Sequence, residues 1–346
     1  MKINILTLTI IATAFLLISC EKEIEFNGDQ IDPKLVINSL VEPGQPVKAS
    51  ISKSYFFLDE PDTAAPNDVV ATLYVNGSHI GEMTRGYDTV SDGWIEIDDE
   101  GHPYYVYQLI TVFKNDYQPT AGDIIKITAS ANGFDDVEGT TSPLPKTLDC
   151  QMEMEINSWH SSYYHPYFTE PGVYEEDSVL QIHGNMTLTF NINDPNPGVL
   201  DYFRLTSERW ANDEGNSYYL SYDYDDPVFG GNFTENEFFD ASDLDTRPEG
   251  VFTDVLFDGK SYQLKLKIYF EMNLTEEYDP TFFCVPFTLQ HLSKEYYNYL
   301  NTCNQGDEIM QFFAEPIQTY TNVNGGFGLV GGRTMDIFWL ALPLEE

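Results

Sequence analysis

His160 and His165 stand five apart in the stretch "SWHSSYYHPYF" at 158–168. Two imidazoles in a loop could chelate a metal. A zinc site wants four ligands, usually in Cys-x-x-Cys or His-Glu-x-x-His spacing, and neither pattern occurs. The same stretch carries Trp159, Tyr163, Tyr164 and Tyr167. Exposed aromatic rings offer large contact area at low entropic cost, as in sugar or peptide platforms and protein interfaces. These four residues are the candidate binding face, and a loop folded back to cap the domain is the competing reading. The acidic groups "DDE" (98–100), "DYDD" (223–226) and "DASDLD" (240–245) are calcium-loop material. None fits the D-x-[DN]-x-[DN]-G-x5-E spacing, so solvated loops are expected; no cofactor is assigned, and Ca2+ is the one ion worth testing. "NGGFGLVGG" (324–332) lacks the Lys and Ser/Thr of a phosphate loop and reads as a chain reversal. Ser78 and His79 are adjacent in a turn, where no nucleophile–base contact forms, and no spacing singles out a catalytic carboxylate pair.

The thiol with the most telling neighbours is Cys20. It closes the tetrad Leu17-Ile18-Ser19-Cys20, after Lys2 and an apolar run over Ile3–Ser19. A positive start, an apolar run and a small residue before the cut make a secretory signal. The run is a little short for a bilayer crossing, which needs about 20 residues. The tetrad resembles the bacterial lipobox, in which the cysteine is acylated and cleavage falls just before it. Each buried CH2 contributes roughly 0.8 kcal/mol, so several acyl chains hold firmly where one does not. Glu21, Lys22, Glu23 and Glu25 follow. An acidic run directly after the lipid cysteine resembles the export tag of lipoproteins that face outward from the outer membrane, an ordinary solvated tether being the competing reading. Cys150, Cys284 and Cys303 remain, an odd number; a Cys284–Cys303 bridge and buried thiols both stay open, the thiols being the expectation.

The chain of 346 residues carries 56 acidic and 17 basic residues, a formal net charge of −39. That charge argues against nucleic acid or anionic lipid as partners. Its 14% aromatic and 42% hydrophobic content is too rich for disorder.

These residues must be positioned by strands. "KLVINSL" (34–40), "VKASISKS" (47–54), "VVATLYV" (69–75), "YYVYQLI" (104–110) and "DIIKITASA" (123–131) are short and punctuated by turns. Asn76-Gly77 is a hairpin signal. The expected organisation is mainly β: a signal over 1–19, a lipidated tether over 20–33, an Ig-like or prealbumin-like β-sandwich over 34–147, and a larger β-rich domain over 148–346 with one packed helix. That helix is expected after Ser293 as N-cap, with Glu295 in its first turn and Gly306 at its end. Tyr296, Tyr299, Leu300 and Cys303 share one face, which places Cys303 in the core.

Five stretches in order carry a resemblance: "PKLVINSLVEPGQPV" (33–47), "NINDPNPGVLDYFRL" (191–205), "FTDVLFDGKSYQL" (252–264), "LSKEYYNYL" (292–300) and "FAEPIQTYTNVNGGFGLVGG" (313–332). Together they resemble the Bacteroidota lipoproteins of the domain-of-unknown-function family four-two-four-nine. The resemblance implies an outer-membrane lipoprotein, and many members are encoded beside TonB-dependent nutrient receptors. Together with palmitate on Cys20 and the acidic run after it, a non-enzymatic accessory or ligand-binding role beside such a receptor, facing the cell exterior, is the expectation. It supplies no catalytic residues. A glycan- or peptide-acting hydrolase using acids of the 223–245 region, and a structural or adhesive surface protein, are the alternatives. The long acidic and aromatic insertions around 159–178 and 211–250 are where individual specificity is expected.

Overall fold

Apolar residues at every second position build the first sheets. The computed structural model describes residues 32–56, 62, 64–97, 103–164, 179–207, 217–223, 226–229, 250–274, 284–303 and 319–341. Pro33–Glu346 forms one compact unit. Strand β1 (Leu35–Val41) buries Leu35, Ile37 and Val41, and β2 (Val47–Lys53) buries Val47, Ala49 and Ile51. Successive side chains point to opposite faces, so one face of each strand is apolar. Between β3 (Val70–Val75) and β4 (Ser78–Glu82) the chain reverses at Asn76 (φ 50°) and Gly77 (φ 78°). Both turn residues take the left-handed conformation that the tightest hairpins need, as the Asn-Gly pair predicts.

A long hairpin follows, β5 (Thr84–Ile97) against β6 (Pro103–Asn115). Strand β5 runs on through Gly86 and Asp88. Cross-strand pairing from Thr84–Lys114 to Ile97–Pro103, around an irregularity between Ser91 and Ile95, satisfies that backbone. Next come β7 (Ile125–Ser130), β8 (Val137–Thr140), β9 (Asp149–Tyr164), β10 (Val179–Asn193), β11 (Tyr202–Ser207) and β12 (Ser217–Asp223). The last elements are β13 (Val251–Thr253), β14 (Ser261–Leu274), β15 (Cys284–Leu292), helix α1 (Lys294–Cys303), β16 (Val323–Asn324) and β17 (Phe327–Ala341).

Three sheets result. An eight-stranded sheet runs β13-β11-β15-β17-β1-β2-β6-β5, a four-stranded one β12-β14-β10-β9, and a five-stranded one β16-β8-β7-β3-β4. Strand β17 is the spine of the largest sheet. Its first part pairs in parallel with β1, from Val36–Phe327 to Val41–Gly332, and its second part pairs antiparallel with β15, from Leu292–Arg333 to Cys284–Ala341. Gly328 makes that close passage workable. It sits at φ +106°, where a Cβ would strike the Ile37 carbonyl oxygen.

Two cores sit along this spine. Leu35, Ile37, Ile51, Leu73, Phe113, Ile125 and Ile127 form one between the five-stranded sheet and the β1–β2 end, joined by Val323 and Val330 from the C-terminal part of the chain. Met186, Leu188, Phe190, Phe203, Leu266, Phe270, Phe287 and Leu340 form the other, beneath the four-stranded sheet. The chain is thus mainly β and sandwich-like. Its first core draws on residues beyond the expected 147/148 boundary.

Helix α1 is the one α-helix among the described residues, and it starts as the sequence indicates. The Ser293 hydroxyl accepts the Tyr296 N–H at 3.4 Å and the Gly332 N–H at 3.0 Å, which both caps the helix and fastens it to β17. Gly306 lies outside the described residues. Cys303 corrects an expectation: it is exposed, not core, and Leu300 is the buried residue of the helix. The helix meets the sheet near Gly331, where a Cβ would approach Tyr296, and its last turn is held where Thr302 Oγ1 accepts the Tyr320 N–H at 2.8 Å. No helix among the described residues is long and apolar enough to cross a membrane.

Candidate functional site

The residues with the most unusual surroundings gather where β10 hands over to β11. Asp194 follows the end of β10 in "NDPNPG", and its Oδ1 accepts the Asn196 N–H at 2.7 Å, the short side-chain turn that Asp and Asn favour. Its Oδ2 accepts the Gly259 N–H. Asp258 Oδ1 takes the Gly198 N–H at 2.6 Å, so the 194–200 loop is stitched to the Asp254–Lys260 segment at two points.

Asp201 enters β11 from this loop. Its N–H donates to Asp254 Oδ1 at 3.0 Å, and the Asp254 N–H returns a bond to the Asp201 carbonyl at 3.3 Å. Asn196 Nδ2 reaches both Asp201 oxygens, at 2.9 and 3.0 Å. From β15, His291 Nε2 lies 3.2 Å from Asp201 Oδ1, while its Nδ1 lies 2.9 Å from the carbonyl of Lys146. The β11–β15 register sets His291 opposite Phe203, and the two rings stack at 5.2 Å. One carboxylate oxygen from each of Asp194, Asp201 and Asp254 falls within 4.8 Å of the others.

Burial sets the electrostatics. Asp201 and His291 are buried, and Asp254 is 0% exposed. Burial, with the charges of Asp201 and Asp194 beside it, pushes the Asp254 carboxyl up to about 6, against the pull of the Asp201 N–H. Its Oδ2 has no hydrogen-bond partner. A carbonyl only accepts, so His291 Nδ1–H donates to the Lys146 carbonyl while Nε2 faces the Asp201 carboxylate. The arrangement can hold protons or a hard cation. It holds no Ser or Cys nucleophile. One oxygen of each carboxylate lies within 4.8 Å of the others, closer than the roughly 5–9.5 Å separations of glycosidase pairs, and Asp201 and Asp254 are buried.

The residues expected to act lie elsewhere. Trp159, Tyr163 and Tyr164 are on strand β9, not on a loop, because Asp149–Tyr164 pairs with β10 throughout. The Trp159 side chain is 48% exposed, while Tyr167 and His165 lie outside the described residues. His160 instead faces His183 across the β9–β10 pair, ring centroids 5.3 Å apart. Asp226, read as part of a solvated acidic loop, is buried: it accepts the Tyr262 hydroxyl at 2.6 Å and the N–H groups of Lys265 and Val228. Those three donors explain why a carboxylate tolerates the interior there. Residues 98–100, 240–245 and Cys20 lie outside the described residues. His79 turns its ring toward Tyr74 at 5.4 Å, a packing role in the hairpin.

Asp201, Asp254, Asn196 and His291 are not singled out by sequence spacing, since Asp254 follows Asp201 by 53 positions and His291 follows it by 90. Their one sequence signal is that they fall in or beside the stretches "NDPNPGVLD", "FTDVLFDGK" and "QHLSKEYYNYL". A separate feature is the outward face of β17. Met335, Ile337 and Trp339 alternate along it at 39%, 52% and 56% exposure, an apolar strip.

Comparison with known proteins places these features. The family described as "Domain of unknown function (DUF4249)" matches residues 21–336, nearly the whole chain. No curated protein matches. Among solved structures, the collagen adhesin (CNA) of S. aureus aligns over 90% of this chain and 95% of its own, at 9% identity and a TM-score of 0.12, too low to inform either fold or function.

Proposed function

Since the chain belongs to the DUF4249 family, we propose that it is a lipid-anchored outer-membrane protein, facing the cell exterior, that serves a TonB-dependent nutrient receptor as a non-enzymatic accessory. The family match begins at residue 21, directly after Cys20. The anchor reading rests on the Leu17-Ile18-Ser19-Cys20 tetrad after the apolar run. Past the acidic tether, the β-rich body would reach the receptor by its own surface.

The observation that carries the docking part is the Met335–Ile337–Trp339 strip. Three large apolar side chains stand exposed on one strand of a chain with net charge −39. Contiguous exposed apolar surface marks interaction sites, and an exposed Trp, here Trp339 at one end of the strip, is a common anchor. A photo-crosslinker at position 337 in the native envelope tests it. The expected adduct is with a TonB-dependent β-barrel, weakened by Trp339→Ala. An adduct with any other protein, or none, would sink the docking reading. The anchor is tested separately: Cys20→Ala should abolish palmitate labelling and leave the precursor uncut.

A further inference from the structure

We propose that Asp194, Asp201 and Asp254 bind one Ca2+ ion, which pins the β10–β11 loop to the Asp254–Lys260 segment. The site does not depend on the docking reading above.

The first argument is charge. Three carboxylates share a region where one oxygen of each lies within 4.8 Å of the others. His291, whose Nε2 lies 3.2 Å from Asp201 Oδ1, is the basic side chain set against these acids among the described residues. Three carboxylates thus face a single imidazole, and two of them, Asp201 and Asp254, are buried. Buried charge without a partner is strongly disfavoured, so a divalent ion fits the count.

The second argument is independent of the clustering. Asp254 is fully buried, its Oδ1 is occupied by the Asp201 N–H, and its Oδ2 meets no donor among the described residues. Buried carboxylate oxygens normally find partners, and an orphan of this kind calls for a ligand. A cation bridging to Asp194 and Asp201 supplies one.

Ligand chemistry chooses the ion. The donors are carboxylate oxygens alone, since both nitrogens of His291 are already engaged, which disfavours the nitrogen- and sulfur-seeking metals. Ca2+ accepts six to eight oxygens in irregular geometry, whereas Mg2+ demands a near-ideal octahedron and keeps its waters. A loop, a strand start and a short turn make an irregular cage. His291 then acts as a positioning residue, holding the Asp201 carboxylate as outer partners hold metal ligands.

The test uses the purified full chain, stripped with EDTA and titrated with CaCl2 by calorimetry and thermal melting. One saturable Ca2+ per chain and a rise of several degrees in Tm are expected. Asp194→Asn and Asp254→Asn should each weaken that binding by at least about tenfold, and His291→Gln by roughly 10–100-fold. If Asp254→Asn fails to fold, the half-buried Asp194 variant still decides. Asp226→Asn, in a different buried network, should lower Tm yet keep the full Ca2+ increment. A Ca2+ effect that survives Asp194→Asn, the lack of any effect, or an equal effect from Mg2+ would each overturn the assignment.

Discussion

His291 Nε2 lies 3.2 Å from Asp201 Oδ1, and both side chains are almost completely buried. The contact joins β15 to the start of β11, and through the Lys146 carbonyl it also ties in the connector between the two cores. Replacing His291 with Leu leaves the Asp201 charge in the interior with Asn196 as its remaining side-chain donor. Losing one partner of a buried pair costs roughly 3–5 kcal/mol. Urea denaturation of His291→Leu should show a loss of that order, with Asp201→Asn in the same background recovering part of it.

Gly328 tests the joint between the N-terminal and C-terminal strands. At φ +106°, against the Ile37 carbonyl, even Ala meets both backbone strain and a collision. Gly328→Ala should destabilise by about 3 kcal/mol or more and increase amide exchange along β1. Gly86→Ala, where a Cβ has open space, should change stability by no more than about 0.5 kcal/mol.

Two carboxylates should respond to pH with opposite sign. The Thr120 N–H and hydroxyl and the Asn76 side chain hold the Asp123 carboxyl below its ordinary value. Its contribution is therefore present above about pH 4 and lost as pH falls through the lowered value. Burial raises the Asp336 carboxyl, so its folded form favours the proton and stability drains away as pH rises through that raised value. Urea midpoints should show Asp123→Asn deficient at pH 6 but near parity in acid, and Asp336→Asn gaining on the parent between pH 4 and pH 8.

Cys150 should be chemically quiet. Burial, helped by the charges of Asp336 and Asp149, pushes its thiol up to about 12. At pH 8 about one molecule in ten thousand then carries the thiolate that alkylates. Peptide mapping after iodoacetamide should find Cys150 unmodified in the native protein and modified in urea.

How much of this could be read from the chain depends on the range of the interaction. Period-two alternation in "LVINSLV" and "YQLKLKIYF", the Asn76-Gly77 reversal and the Ser293 cap are local preferences, set by side-chain direction and backbone sterics within a few residues. All appear in the structure where the sequence puts them. The exposed Cys303 and the stranded Trp159 were not legible, because helical periodicity does not say where a helix leaves its sheet, and aromatic content does not separate strand from loop.

The chain by itself determined several strands with their inward faces, among them β1, β2 and β14, and the helix start, since those follow from neighbours in sequence. Only the tertiary structure decided that β17 would be shared between two cores, and that Asp194, Asp201, Asp254 and His291 would meet. The physical reason is the same in both cases. Strand pairing across nearly three hundred residues, and charges brought together from separate segments, are fixed by the packing of whole sheets, which no local spacing encodes.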